Sequence, residues 1–147
     1  MESRFITTQI LVILAVLSYG QKNYFYQNEE GAIKGYDPVA YFKKGTPLKG
    51  KQEYAYEWKE AKWMFTSEEN LKAFRKNPEK YAPQYGGYCS YAVAKGYTAK
   101  IDPTSWKIIE GKLYLSYNKS IQKNWENYLD KYINEANENW PSVLEAN

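Results

Sequence analysis

Two stretches of this chain repeat one another, and the repeat dictates the plan of the fold. Glu60-Ala61-Lys62-Trp63-Met64-Phe65-Thr66-Ser67 and Glu110-Gly111-Lys112-Leu113-Tyr114-Leu115-Ser116-Tyr117 share one pattern: acid, small residue, lysine, apolar or aromatic triplet, hydroxyl. The offset is 110 − 60 = 50. A helical stretch follows each copy, in which Leu71 and Phe74 answer to Ile121 and Trp125. Pro78-Glu79-Lys80-Tyr81 then answers to Leu129-Asp130-Lys131-Tyr132 at 129 − 78 = 51, a slip that one inserted residue explains. Two copies are too few for a solenoid. They predict an α+β fold, a single small domain of two β-hairpin-plus-helix halves around one core. Internal duplication and chance similarity in a Lys/Tyr-rich chain both account for the match.

Local signals fill in this plan. Ala32-Ile33-Lys34-Gly35 reads as a short strand. Asp37-Pro38 reads as a helix start, aspartate at the N-cap and proline at the first helical position. Tyr54 to Trp58 alternates as a strand does, Lys59 to Lys62 turns the chain, and Trp63-Met64-Phe65 returns. Ser67 caps a helix with Glu68 and Glu69 in its first turn, where the helix dipole favours acids, and Asn77-Pro78 ends it. Tyr88 to Lys95 has helical composition with Gly96 as its stop. Asp102-Pro103 repeats the aspartate-proline start. Trp106 to Ile109 and Lys112 to Leu115 flank a Glu110-Gly111 hairpin turn. Asn118 caps a last helical region, one long helix or two short ones, ended by Asn139-Trp140-Pro141.

The ends of the chain read differently. Residues 1–20 have the character of a secretion signal: Arg4 in a short basic region, then an apolar run from Ile10 to Leu17. That run is shorter than the ~20 residues needed to cross a bilayer and has the length of a signal-peptide core. Ser18 and Gly20 suit cleavage before Gln21, so the expectation is an exported protein, periplasmic or secreted, with no stable membrane span after cleavage. An uncleaved anchor is the alternative. Residues 21–31 are expected to be a linker whose Tyr24, Phe25 and Tyr26 pack one aromatic face onto the domain, and residues 142–147 a C-terminal tail.

Composition narrows the chemistry. The 147 residues contain no histidine and one cysteine, Cys89. Ser-His-Asp triads, histidine acid–base catalysis and the usual zinc sites are excluded, and so is an intramolecular disulfide. The net charge of +3 is mild and no long run of like charge occurs, so nucleic acid is not an expected partner. The 16 tyrosines and 5 tryptophans suit half-buried strands and core edges, or an aromatic binding surface.

The remaining chemistry centres on Pro83-Gln84-Tyr85-Gly86-Gly87-Tyr88-Cys89-Ser90-Tyr91. Gly86 and Gly87 permit unusual backbone angles or close approach. Cys89 in the first turn after them would lie near helix N–H groups, which lower a thiol pKa. Tyr85, Tyr88 and Tyr91 are candidate pocket walls, and Lys95 a candidate positive charge on a poorly placed face. The competing reading makes Cys89 a small core residue like Ala92 and Val93. Cys89 with Met64 supplies too few soft ligands for a convincing Cu(I)-type site. Asp37 and Asp102 can be read as paired carboxylates, but capping explains both.

Several phrases together resemble one family. Gly35-Tyr36-Asp37-Pro38-Val39-Ala40-Tyr41-Phe42, Phe65-Thr66-Ser67-Glu68-Glu69-Asn70, Asn77 through Cys89, and Asn139-Trp140-Pro141 are similar to the long, exported form of YHS-domain proteins, and residues 32–141 are identified as the YHS-type domain. The shorter YHS modules of heavy-metal transporters bind metal through cysteines. Ala40, Thr66 and Asn70 stand at the corresponding places here, so the resemblance implies neither a metal site nor a cofactor. Some long-form relatives carry selenocysteine at the position of Cys89, which implies a redox or soft-nucleophile role.

Three functional readings follow. The first is a single-thiol redox or soft-ligand site with Cys89 as the reactive atom, Tyr85, Gly86, Gly87, Tyr88 and Tyr91 as binding residues, and a small molecule or redox partner. The second is a non-catalytic module that binds a small ligand or metal ion in a cleft between the halves. The third is a structural or interaction protein of the cell envelope.

Overall fold

The computed structural model describes residues 22–145; the expected leader, residues 1–20, lies outside the described residues. The first described element is a small hairpin of Gln27–Asn28 (β1) and Gly31–Ala32 (β2). A 3-10 turn over Ile33–Gly35 follows, where a strand was expected, because Ile33, Lys34 and Gly35 all take positive φ. Helix α1 spans Pro38–Lys43, then strand β3 Lys51–Trp58, strand β4 Ala61–Phe65, helix α2 Glu68–Lys76 and helix α3 Pro78–Tyr81. A second 3-10 turn, Gln84–Gly87, leads to helix α4 Ser90–Ala94, strand β5 Asp102–Ile109, strand β6 Lys112–Ser116, helix α5 Lys119–Asn127 and helix α6 Leu129–Asn139. The architecture is α+β, one small domain holding, among the described residues, three separate two-stranded antiparallel sheets.

The two larger hairpins are built alike, for the same local reasons. In each, a two-residue turn of positive φ joins the strands: Lys59 and Glu60 (φ 47° and 62°) in the first, Glu110 and Gly111 (φ 51° and 75°) in the second. Such turns match the twist of the strands they join. Both hairpins carry a register irregularity near their far end, between Lys51 and Ala55 and between Asp102 and Trp106. Ser67 caps α2 by accepting from the Asn70 N–H, and Asn118 caps α5 by accepting from the Ile121 N–H. Both helix pairs break at one extended residue, Asn77 (φ −150°, ψ 75°) and Tyr128 (φ −139°, ψ 52°). Every one of these features recurs 51 positions on: 118 − 67, 128 − 77 and 110 − 59 all equal 51. One offset therefore holds from hairpin to final helix, and the offset of 50 expected for the hairpins is corrected. Glu60 stands opposite Gly111, and Asn70 rather than Leu71 opposite Ile121.

The final helical region is two helices, and Gly96 stops α4 as expected. Its N–H donates to Val93 O and that of Tyr97 to Ala92 O, the paired bonds of a Schellman end. Asp102, by contrast, caps no helix. It opens β5, and its carboxylate accepts from the Thr104 N–H and hydroxyl and from Ser105. The chain continues as a strand because the facing strand β6 satisfies the backbone there.

Residues 22–31, expected as a linker, are built into the fold. Phe25 is buried between Trp58 and Trp63, and the Tyr26 N–H donates to Gly86 O at 2.8 Å. The segment after residue 141 also packs inward at Val143. The core has two lobes. The larger, around Trp63, Phe65 and Phe74, reaches across to Leu113, Leu115 and Cys89. The smaller gathers Tyr85, Tyr114, Trp125 and Ala136. Tyr26 and Tyr91 pack against both lobes and join them.

Candidate functional site

Asp37 is fully buried and fully bonded. Its Oδ1 accepts from the N–H groups of Val39 (2.8 Å) and Ala40 (3.2 Å), as the cap of α1. Its Oδ2 accepts from the Thr66 N–H (2.8 Å), the Thr66 hydroxyl (2.9 Å) and the Asn70 side-chain amide (2.8 Å). A buried carboxylate persists when its oxygens are paired in this way. Thr66 and Asn70 are thus committed to a carboxylate.

Cys89 occupies the same position in the second half. The backbone of Ile33-Lys34-Gly35-Tyr36-Asp37 is repeated by Tyr85-Gly86-Gly87-Tyr88-Cys89. Three positive φ values (45°, 59°, 78° against 56°, 61°, 81°) precede an extended tyrosine and then the capping residue. Asp37 has φ −77°, ψ 111°; Cys89 has φ −55°, ψ 118°. The Asp37 N–H donates to Leu48 O (2.8 Å) and the Cys89 N–H to Ala99 O (3.1 Å). The donors around the side chain also correspond. Backbone N–H groups of Ala92, Tyr117 and Tyr91 act on the thiol to lower its pKa without a capping hydrogen bond to it, where Ala40, Thr66 and Val39 bond to the carboxylate.

The side-chain donors do not correspond. Tyr117 and Ile121 replace Thr66 and Asn70, so nothing equivalent to the hydroxyl and the amide reaches the sulfur. A cavity of about 260 Å³ lies there instead, lined by Cys89, Tyr91, Ala92, Tyr97, Ala99, Tyr117 and Ile121. Cys89 forms its inner wall at 1 % exposure. Burial pushes the thiol pKa above its ordinary value, and the three N–H groups only partly offset this. The lowered pKa expected from the helix start is therefore corrected: desolvation of a fully buried sulfur outweighs the helix N–H groups. The thiol is neutral at neutral pH.

The other expected site residues divide. Tyr91 shares the Cys89 cavity. Tyr85 and Gly86 line a different cleft, with Trp58, Gln84, Asn137 and Trp140. Gly87 is placed for backbone approach, since a Cβ there would lie 2.8 Å from Ile33 Cγ2. Tyr88 packs its ring against Tyr26 and Trp140 and donates its hydroxyl to Asn23 O at 2.6 Å. Lys95 lies over the rings of Tyr91 and Tyr132. Met64 is buried in β4. The structure therefore does not gather Tyr85, Gly86, Tyr88 and Cys89 around one pocket. Tyr97, Ala99, Tyr117 and Ile121 escaped the sequence reading. The hairpin repeat at offset 51 was the signal that reveals three of them, because it carries Leu48, Thr66 and Asn70 onto Ala99, Tyr117 and Ile121.

Residues 39–85 match the family model of the YHS domain. Over these residues the chain is similar to the YHS-domain family. The matched stretch covers most of the first half, from α1 into the second 3-10 turn, and stops four residues before Cys89. No curated protein and no solved structure matches the chain.

Proposed function

We propose that Cys89 is the functional atom of this protein, a single thiol that takes a small soft ligand entering through the tyrosine-walled cavity. One observation carries this reading: Cys89 stands in the backbone position of Asp37, with the N–H groups of Ala92, Tyr117 and Tyr91 lowering its pKa from the places whose counterparts bond the carboxylate, and with open space in place of the remaining donors. The arrangement favours an anionic sulfur that burial alone disfavours. A ligand with a soft centre resolves the conflict, because it displaces the thiol proton and neutralises the sulfur in the same exchange. Apolar walls suit an organic ligand better than a hydrated ion.

A redox role is the second reading, favoured by the same likeness to Asp37. Oxidation of the thiol by two peroxides gives a sulfinic acid and two waters, and a sulfinate presents oxygens as a carboxylate does. The raised pKa makes this slow without a dedicated oxidant. The leader character of residues 1–20 supports export as part of both readings, and N-terminal sequencing of the mature protein tests it.

The test is a titration of the reduced, folded protein with phenylmercuric acetate, which forms a sulfur–mercury bond and releases acetic acid. The expected result is one equivalent bound per chain, a raised melting temperature, and no binding in Cys89→Ala. Reaction only after unfolding, or with loss of the fold, makes Cys89 a core residue and the domain a structural or interaction module.

A further inference from the structure

The cleft that received Tyr85 and Gly86 shares no lining residue with the Cys89 cavity. It has a volume of about 280 Å³ and lies between the first hairpin turn, the stretch after α3 and the end of α6. Five aromatic residues line it: Tyr24, Phe25, Trp58, Tyr85 and Trp140. Trp58 packs against Phe25 and Phe74, and Trp140 against Tyr24 and Tyr88. Aromatic walls locked by their own packing are preorganised for binding.

The polar side chains of the cleft are a facing pair of opposite charges, two amides and tyrosine hydroxyls. Its charged residues, Lys59 and Glu79, face each other at 3.8 Å, so the cleft presents no uncompensated charge. Gln84 and Asn137 supply amides, which both donate and accept. Asn137 Oδ1 accepts from the Tyr85 hydroxyl at 2.8 Å, which leaves its NH₂ as a donor. A ligand that complements flat aromatic faces and neutral amides has C–H faces and hydroxyl groups. The space is below the range of drug-sized ligands, roughly 300 Å³ and up, and accepts about one ring. Past Tyr24 and Lys59 the cleft continues into a hollow beside Glu60, which gives a second ring its place.

We infer that this cleft binds a neutral saccharide, one pyranose ring between Trp58 and Trp140 and the next beside Tyr24. The inference is independent of the thiol reading, since Cys89→Ala leaves every residue of the cleft in place.

The test follows the five tryptophan indole N–H signals by NMR as cellobiose or chitobiose is added to the mature protein, with sorbitol as the acyclic control. Saturable shifts of the Trp58 and Trp140 signals are expected with at least one disaccharide, while those of the fully buried Trp63 and Trp125 stay fixed. Gln84→Ala, a change at the cleft wall, is expected to weaken the effect about ten-fold by removing one polar contact. The inference fails if neither disaccharide moves the two signals, if all five move together, if sorbitol moves them equally, or if Gln84→Ala binds as the parent does.

Discussion

Asp37 and Cys89 are counterparts, each the capping residue that follows three left-handed positions and an extended tyrosine. Around Asp37 five donors converge, three from backbone and two from the Thr66 and Asn70 side chains. Around Cys89 the corresponding backbone N–H groups lower the thiol pKa without a capping hydrogen bond, and the side-chain positions border a cavity. One half uses the arrangement to lock a buried carboxylate; the other keeps a thiol beside open space.

This relationship predicts an exchange. Cys89→Asp places a carboxylate where backbone donors await it, but its second oxygen finds Ile121 where the first half has Asn70. The single variant is expected to be destabilised by about 1–3 kcal/mol, the cost of an incompletely paired buried polar group. Adding Ile121→Asn is expected to recover at least half of that loss, although Ile121→Asn alone is destabilising. Urea unfolding of the four proteins in the cycle measures the coupling.

Asp37→Ala removes the acceptor from five donors in one step. A loss of about 3 kcal/mol or more is expected, since each buried group left unpaired costs roughly 1–3 kcal/mol. Asp37→Asn retains part of the network and is expected to fall between. Chemical denaturation of the two variants orders them.

Alkaline pH is expected to unfold the protein through its tyrosines. Burial raises the pKa of Tyr41 and of Tyr85 well above the ordinary tyrosine value. A folded-state pKa above the unfolded value of about 10 means that stability is full below about pH 10 and lost as pH rises toward the folded pKa. Each such group then costs about 1.4 kcal/mol per pH unit. Tyr41→Phe and Tyr85→Phe are expected to flatten the fall above pH 10, measured by urea midpoints across that range. Tyr41→Phe also costs about 1 kcal/mol at neutral pH, because the Tyr41 hydroxyl donates to Pro103 O at 2.6 Å.

Gly86 ties the N-terminal aromatic segment to the domain. It has φ 61°, and a Cβ there would lie 1.9 Å from Tyr24 O. Gly86→Ala is therefore expected to displace Tyr24 to Tyr26, whose N–H bonds to Gly86 O, and to open residues 22–28 to proteolysis while the hairpins stay folded. Peptide mapping after brief digestion detects the new cuts.

Much of this architecture was legible in the sequence because it rests on local chemistry. Ser67 and Asn118 announce their helices, Asp37-Pro38 announces α1, and Glu110-Gly111 announces a hairpin. Asp102-Pro103 misled because the same dipeptide opens a strand once a facing strand satisfies its backbone. The packing of an aromatic face from Tyr24 to Tyr26 was legible in those residues, but the partners of Phe25, Trp58 and Trp63, were not, because a short segment without periodicity names none. The site was half legible. Cys89 stood out by composition, but its environment depends on Ala99, Tyr117 and Ile121, which meet it only through the fold. The direction of its pKa shift depended on burial, which local spacing does not reveal.

The central claim is that Cys89 is a nested thiol reachable through its cavity. Its most direct test is the rate of reaction with iodoacetamide as a function of pH, in the folded, reduced protein and in the urea-unfolded chain. The account predicts that the folded protein reacts at Cys89 while remaining folded, with an apparent pKa above that of the unfolded chain, near 8.5. Reaction confined to unfolded molecules, or an apparent pKa below the unfolded value, contradicts it.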